Sequence, residues 1–376
     1  MNSRRNFMKG AMAAGLAFAA GPLLAACASH PQALRREALP DNSLSFLEGP
    51  EQEMLHLASL APSGHNSQPW KVRVAGPGRW MVEADSARRL PAVDPENREL
   101  LLSLGAFVEN LSLAAGSLGF RAEAETMAEG RGDGDIVRIS LFPDRRRPFP
   151  VELMRLRRTV KKGQASREIS SKDLKALFRH MEGFAHYFPR GSRHASCIRD
   201  ATAEAFRTQS FRDDAQKELV RWLRLSNRSV IEHRDGLTVA GMEISGAPGW
   251  YLRNFGKPED FLKHSFREQG ADLAAKTAAE GGGWIVVTSR GDSVSDLIET
   301  GRRFERMALE ARALGIGIHP MTQVLEEATG QDVIAASHGR PMHLQFVLRA
   351  GYVEKYPKPV SPRRPLPSFV RGPAAV

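Results

Sequence analysis

This chain has little cysteine and none of the common hydrolytic or metal-binding signatures. Its 376 residues include two cysteines, Cys27 and Cys197, so a disulfide framework is excluded and the fold must rest on its core. There is no Gly-x-Ser-x-Gly elbow and no Ser-x-x-Lys at a helix start, so nothing orders a serine nucleophile with a histidine. His-Glu-x-x-His and Cys-x-x-Cys are both missing, which removes the usual frames for zinc. No basic run alternates with aromatics. The net charge of +10 therefore does not argue for nucleic acid, because Lys and Arg are mixed with Asp and Glu along the chain. The densest basic cluster, Asp144-Arg145-Arg146-Arg147-Pro148, reads as a solvated connector. The apolar run at residues 11–20 is too short and too rich in Ala and Gly for a comfortable membrane span.

What is present begins with an address. Ser3-Arg4-Arg5-Asn6-Phe7-Met8-Lys9 resembles the twin-arginine (Tat) export signal, and the apolar run after it reads as a cleaved h-region. Leu24-Ala25-Ala26-Cys27 resembles a lipobox, in which Cys27 is lipidated and anchors the mature chain to a membrane. Cleavage at an Ala-x-Ala-like site near Ala26 is the alternative. Residues 1–27 are then the signal and residues 28–48 a tether. The expectation is passage through the Tat machinery to the periplasm or cell envelope. That route carries folded proteins, often with a cofactor already inserted. The remaining 350 or so residues, with an apolar fraction of 42% for the whole chain, suffice for one large domain or two small ones.

The chain also repeats itself. A helical pattern from Gly105 to Gly119 returns from Gly301 to Gly315, each glycine of the second copy lying 196 positions after its counterpart (301 − 105 and 315 − 119). Both copies end on a glycine suited to a left-handed helix cap. Each is followed by a strand-like stretch, at residues 136–141 and 343–348. Further strands are expected at residues 80–84 and 284–288. The fold class is therefore α+β, with related halves at 49–150 and 151–376.

The most informative segment is Ala61-Pro62-Ser63-Gly64-His65-Asn66-Ser67-Gln68-Pro69-Trp70. It lies between an apolar-periodic stretch at residues 54–60 and an alternating run, Lys71-Val72-Arg73-Val74. Two prolines stiffen the connection and Gly64 permits a tight turn. Ser63, Asn66 and Gln68 are then short polar groups on a stiff frame. By themselves these residues fit either an ordinary helix-to-strand loop or a ligand-presenting one.

This segment is similar to the APS-x-x-N-x-Q-P-W signature of the nitroreductase superfamily of FMN-dependent oxidoreductases. The similarity extends to Arg89-Leu90-Pro91-Ala92-Val93-Asp94-Pro95, the Gly105 helix and Arg349-Ala350-Gly351-Tyr352, covering most of residues 50–370. Ordinary members are homodimers with flavin at the subunit interface. A chain holding both halves resembles the fused Acg-type branch, an intrachain pseudo-dimer expected to be a monomer.

The resemblance implies the following site. Ser63, Gly64, Asn66 and Gln68 come from the first half. Arg157, Arg158, Thr159 and Lys161 match an R-x-S-x-[RK] phosphate motif, with Thr in place of Ser. A C-terminal basic pair, Arg363 and Arg364, returns to the same phosphate. His319, Pro320 and Met321 lie in a loop expected to pass the flavin ring and give main-chain hydrogen bonds. The loop and the phosphate motif each occur once, so one FMN is expected. Residues 242–263 fit neither half and read as a lid or a surface insertion. No catalytic side chain is expected, because the flavin carries the chemistry between a small-molecule donor and acceptor. The alternative is a non-catalytic flavoprotein that sequesters FMN beneath the lid.

Overall fold

A computed structural model describes residues 44–327 and 343–373. The signal, Cys27 and most of the tether lie outside the described residues.

The first half opens with a helix, Gly49–Ala58, and continues into β1 (Trp70–Gly76), β2 (Arg79–Ala84), a long helix Arg98–Leu118, β3 (Phe120–Thr126) and β4 (Asp135–Pro143). The second half has β5 (Ala185–Pro189). An insert at residues 190–282 follows, holding the short parallel pair β6 (Leu223–Arg224) and β7 (Leu237–Thr238). Then come β8 (Gly283–Ser289), the helix Val294–Ala313, β9 (Ile316–Pro320) and β10 (His343–Tyr352). The first sheet runs β1-β2-β4-β3 and the second β5-β8-β10-β9. Each is antiparallel and places its own half's strands in the order first, second, fourth, third. The insert occupies the point where the first half needs only the β1–β2 hairpin. β8 is buried along its whole length, which is why Gly-Trp-Ile-Val-Val-Thr-Ser carries no polar face.

The expected repeat helices are the centre of the molecule. Their glycine ends behave as expected: Gly119 (φ 91) and Gly315 (φ 69) are left-handed. The helices cross where their backbones nearly touch. A Cβ on Gly105 would stand 2.1 Å from the Ile298 carbonyl, and one on Gly301 2.1 Å from the Leu102 carbonyl. Leu102 and Ile298 are themselves 196 positions apart (298 − 102), so the contact is reciprocal in the register of the repeat. Only glycine allows so close an approach. The helix Arg98–Leu118 is apolar and long enough to cross a membrane, yet most of it is buried inside the protein, where the first core gathers Leu101, Leu104, Phe107 and Leu111 with Leu297 and Ile298 of the second helix.

One charged pair departs from the repeat. Glu109 and Glu305 are equivalent (305 − 109 = 196), and both are buried. Glu109 accepts from Arg302 (3.2 Å) and Arg306 (2.6 Å). The positions equivalent to those arginines in the first helix are Ala106 and Asn110. Glu305 instead draws Arg157 (3.2 Å) out of the connecting segment.

The end of the chain crosses back to the first half. β11 (Val370–Arg371) pairs in parallel with β1, matching Val72 with Val370.

Candidate functional site

The segment 61–70 is strained. His65 (φ 51), Asn66 (φ 52) and Gln68 (φ 53) all occupy the left-handed region, which costs on the order of 1 kcal/mol for each residue bearing a Cβ. Gly64, expected to make the turn, has no positive φ. It does leave room: a Cβ there would crowd the ends of two side chains, 3.0 Å from Glu99 Oε2 and 3.2 Å from Leu90. The turn is closed by Ser63, whose hydroxyl accepts from the Gln68 amide at 2.9 Å.

Asn66 and Gln68 act as braces. Asn66 Nδ2 donates to the carbonyls of Gly236 and Pro362, both at 3.3 Å, and its Oδ1 accepts from Arg363 (3.0 Å). Gln68 is fully buried. Its Nε2 donates to the Arg234 carbonyl and its Oε1 accepts from the Arg364 amide, both at 2.9 Å. The two amides thus tie the first half to the insert and to the C-terminal segment. Expected at a ligand edge, both amides have protein partners instead, as polar groups need where they leave water.

The expected cations are distributed in the same way. Arg363 donates to the carbonyls of Leu60 and Ala61, and Arg364 to those of Gln68 and Trp70. Arg157 is buried against Glu305 and donates to the Leu60 carbonyl. Arg158 pairs with Glu243 at 2.7 Å and donates to the Lys358 carbonyl. Four guanidiniums expected around one phosphate are therefore engaged with protein acceptors. The pair at 363–364 braces the first half from within.

Lys161 is different. Residues 157–161 run beside β9, with the Val160 amide bonded to the Ile318 carbonyl (3.0 Å). Lys161, His319 and His65 interact electrostatically with one another through Lys161. Burial, with Lys161 adding, pulls His65 down to about 4 against an opposing Glu99. Burial also holds His319 well below its usual range, with Lys161 and Arg349 adding. Burial depresses Lys161, with Glu243 opposing. All three side chains are half-buried. Arg349 approaches His319 Nδ1 (3.4 Å) and donates to the Lys161 carbonyl (2.5 Å). Glu99, beside the loop at Gly64, belongs to an acidic group: burial and Glu99 raise Asp94 to about 7 and hold Glu326 well above its usual range.

Of the remaining expected residues, Thr159 is half-buried, as is Pro320. Met321 is buried and its amide is given to the Val347 carbonyl (2.9 Å). His319 and Pro320 were expected in a loop but lie in β9, paired with Arg349 and Leu348 of β10, so their main chain is committed to the sheet and Pro320 has no N–H to give. His65, Glu99, Glu326 and Arg349 carry no expected role in the sequence: His65 lies inside the motif and Arg349 inside a matching stretch, whereas Glu99 and Glu326 are joined to them only by folding. The expected lid, 242–263, contains the helix Gly246–Phe255 and is fastened at its start to the phosphate-motif segment, by the Arg158–Glu243 pair and by Lys162 Nζ on the Glu243 carbonyl (3.1 Å).

The His65 shift makes a pH prediction. Its folded value lies below its unfolded one, so unfolding takes up a proton between about pH 6.5 and 4. Its contribution to stability is then lost as pH falls through that window. His65→Asn should flatten this acid-side fall, in urea unfolding from pH 7 to 4. Asp94 acts in the opposite direction and is common to both proteins. Parallel curves for the two would contradict the placement of His65.

No family model matches the chain. A provisionally named NAD(P)H nitroreductase of Mycobacterium tuberculosis is 25% identical over 332 residues, covering 85% of this chain and 90% of the relative. A second from the same organism, acg, is 25% identical over 339 residues, covering 83% and 92%. PigM of a Serratia strain, also provisionally named an NAD(P)H nitroreductase, is 23% identical over 304 residues, covering 76% and 83%. Among solved structures, the FMN-dependent nitroreductase NfnB of Mycobacterium smegmatis, in complex with NADPH, aligns with a TM-score of 0.33 at 16% identity, covering 55% of this chain and 92% of that one. An alignment of that size does not bear on the fold.

Proposed function

We propose that this chain, a distant relative of nitroreductases along most of its length, is an oxidoreductase that holds one FMN between its two halves. The observation that carries the reading is the convergence at one seam of the strained 63–68 loop, Lys161 and His319. Bound FMN would supply the redox chemistry, taking electrons from a small-molecule donor and passing them to an acceptor. Lys161 offers that seam a positive charge, and Ser63 and Thr159 offer hydroxyls. His65 and His319, both neutral at pH 7, offer ring nitrogens without adding repulsion to Lys161. The strain of the loop is offset by the braces at Asn66 and Gln68, which keep the wall rigid.

The matching strand orders and the reciprocal glycine contact support an intrachain pseudo-dimer, and hence a monomer. The unequal surroundings of Glu109 and Glu305 support one site rather than two. Purified protein should show a flavin absorption band, with FMN released on denaturation at about one per chain, as the single loop and motif require. A colourless protein that cannot be reconstituted removes the reading, and a ratio near two removes the single site.

The proposed location rests on residues 3–9 and 24–27: export through the Tat machinery and a lipid anchor at Cys27, placing the protein at the periplasm or cell envelope. A second reading, flavin sequestration, draws on the insert, which meets the 63–68 loop at Arg234 and Gly236 and residue 158 at Glu243. Anaerobic mixing with NADPH or a quinol separates the two. An accessible flavin bleaches; a sequestered one bleaches only with dithionite.

A further inference from the structure

We propose a second ligand site, for a phosphate-bearing small molecule, in the crevice where the first half meets the insert. The crevice is a cavity of about 260 Å³ whose walls include Arg88, Arg89, Arg221, Trp222 and Arg224. It shares no lining residue with the candidate flavin seam, and the proposal does not require the flavin.

Four guanidiniums gather there against two carboxylates, and the balance is uneven. Asp235 is engaged by Arg88 (2.7 Å) and Arg224 (2.9 Å). Glu218 accepts the main-chain amides of Ala92 (3.0 Å) and Val93 (3.2 Å), so its carboxylate is turned to the main chain, while burial pushes its carboxyl up. Arg88 and Arg224 are thus neutralised and fixed, and each lies over the Trp222 ring, at 5.9 and 5.8 Å. They form a frame with an aromatic floor.

Arg89 and Arg221 are left over. Arg89 gives one N–H to the Gly132 carbonyl (2.8 Å), while its Nε is buried with no partner among the described residues. Arg221 is exposed at the rim and makes no side-chain hydrogen bond among the described residues. Arg221 is attracted to Glu218 without a hydrogen bond to it, and two guanidiniums with no hydrogen-bonded carboxylate among the described residues, beside an apolar ring, suit an oxyanion carried on a small organic body. Guanidinium forks bind phosphate with paired, charge-assisted hydrogen bonds, and the ring gives the body a surface. Arg88 also donates to the Ser67 carbonyl (2.8 Å), so this crevice backs onto the loop that forms the flavin seam.

The test titrates the full chain, loaded with FMN so that the flavin seam is filled, with inorganic phosphate and then pyrophosphate at constant ionic strength. Calorimetry should show saturable binding at one site, tighter for pyrophosphate than for chloride or sulfate. Arg221→Ala and Arg89→Ala should each weaken it about tenfold, the loss of one charge-assisted contact. Arg146→Ala, on the exposed connector, should leave it unchanged. Arg221→Glu, at an exposed position that folding does not depend on, should abolish it. No saturable heat overturns the proposal. So does equal weakening by Arg146→Ala, which would mean general charge attraction. A chain that binds phosphate but no flavin would keep this site and remove the flavin reading, so the two fail separately.

Discussion

Gly301→Val is expected to destabilise the protein by about 3 kcal/mol or more. A Cβ at residue 301 meets the Leu102 carbonyl oxygen at 2.1 Å and its carbonyl carbon at 2.8 Å. These are main-chain atoms inside a helix, so no side-chain rotation relieves the clash. The two helices must move apart, and the core they share must open around Leu297 and Ile298. Against a typical total of about 5–15 kcal/mol, that loss removes much of the stability. Gly105→Val should behave alike, because its Cβ meets the Ile298 carbonyl at the same 2.1 Å. Gly116→Ala is the control: its Cβ would meet only Arg147, at 3.6 Å, and replacing a helical glycine there should gain roughly 0.5–1 kcal/mol. Urea midpoints measure all three. A Gly301→Val protein within about 1 kcal/mol of the parent would show that the helices do not cross at these glycines.

Gln68→Ala is expected to cost about 2–4 kcal/mol and to loosen the end of the chain. The substitution strips partners from the Arg234 carbonyl and the Arg364 amide. Each buried orphan costs about 1–3 kcal/mol. Arg364 also donates to the carbonyls of Gln68 and Trp70, contacts that depend on its backbone being held. Once residues 363–364 are released, β11 loses its register against β1. Proteolysis should then cut near residues 353–369 faster than in the parent, and flavin occupancy should fall with it. Gln68→Glu should be no better, because it turns an acceptor toward the Arg234 carbonyl and buries a charge. A Gln68→Ala protein with the parent's melting point and cleavage rate would mean that the amide is not a brace.

Much of the architecture was legible in the residues. The 196-residue spacing and the two terminal glycines located both long helices. The strands at 80–84, 136–141, 284–288 and 343–348 fall within β2, β4, β8 and β10, because period-two patterns and β-branched runs are local signals. The insert was less legible: residues 242–263 stood out, but the full interruption at 190–282 did not, since its helices are individually ordinary. At the site, residue types pointed to the right segments and not to their bonds. Four arginines looked alike in sequence, yet Arg157 serves Glu305 because positions 106 and 110 hold Ala and Asn.

The chain's own sequence determined the α+β class, that glycines recur where the long helices repeat, and that a stiff polar loop precedes β1. Those follow from periodicity and from what Gly and Pro permit the backbone to do. The tertiary structure decided which polar groups remain available to a ligand. Burial makes an unpaired donor or acceptor costly, and the partners of Asn66, Gln68, Arg363 and Arg364 include main-chain groups from distant parts of the chain. His65 and His319, both half-buried, are brought within electrostatic reach of Lys161 by the fold alone.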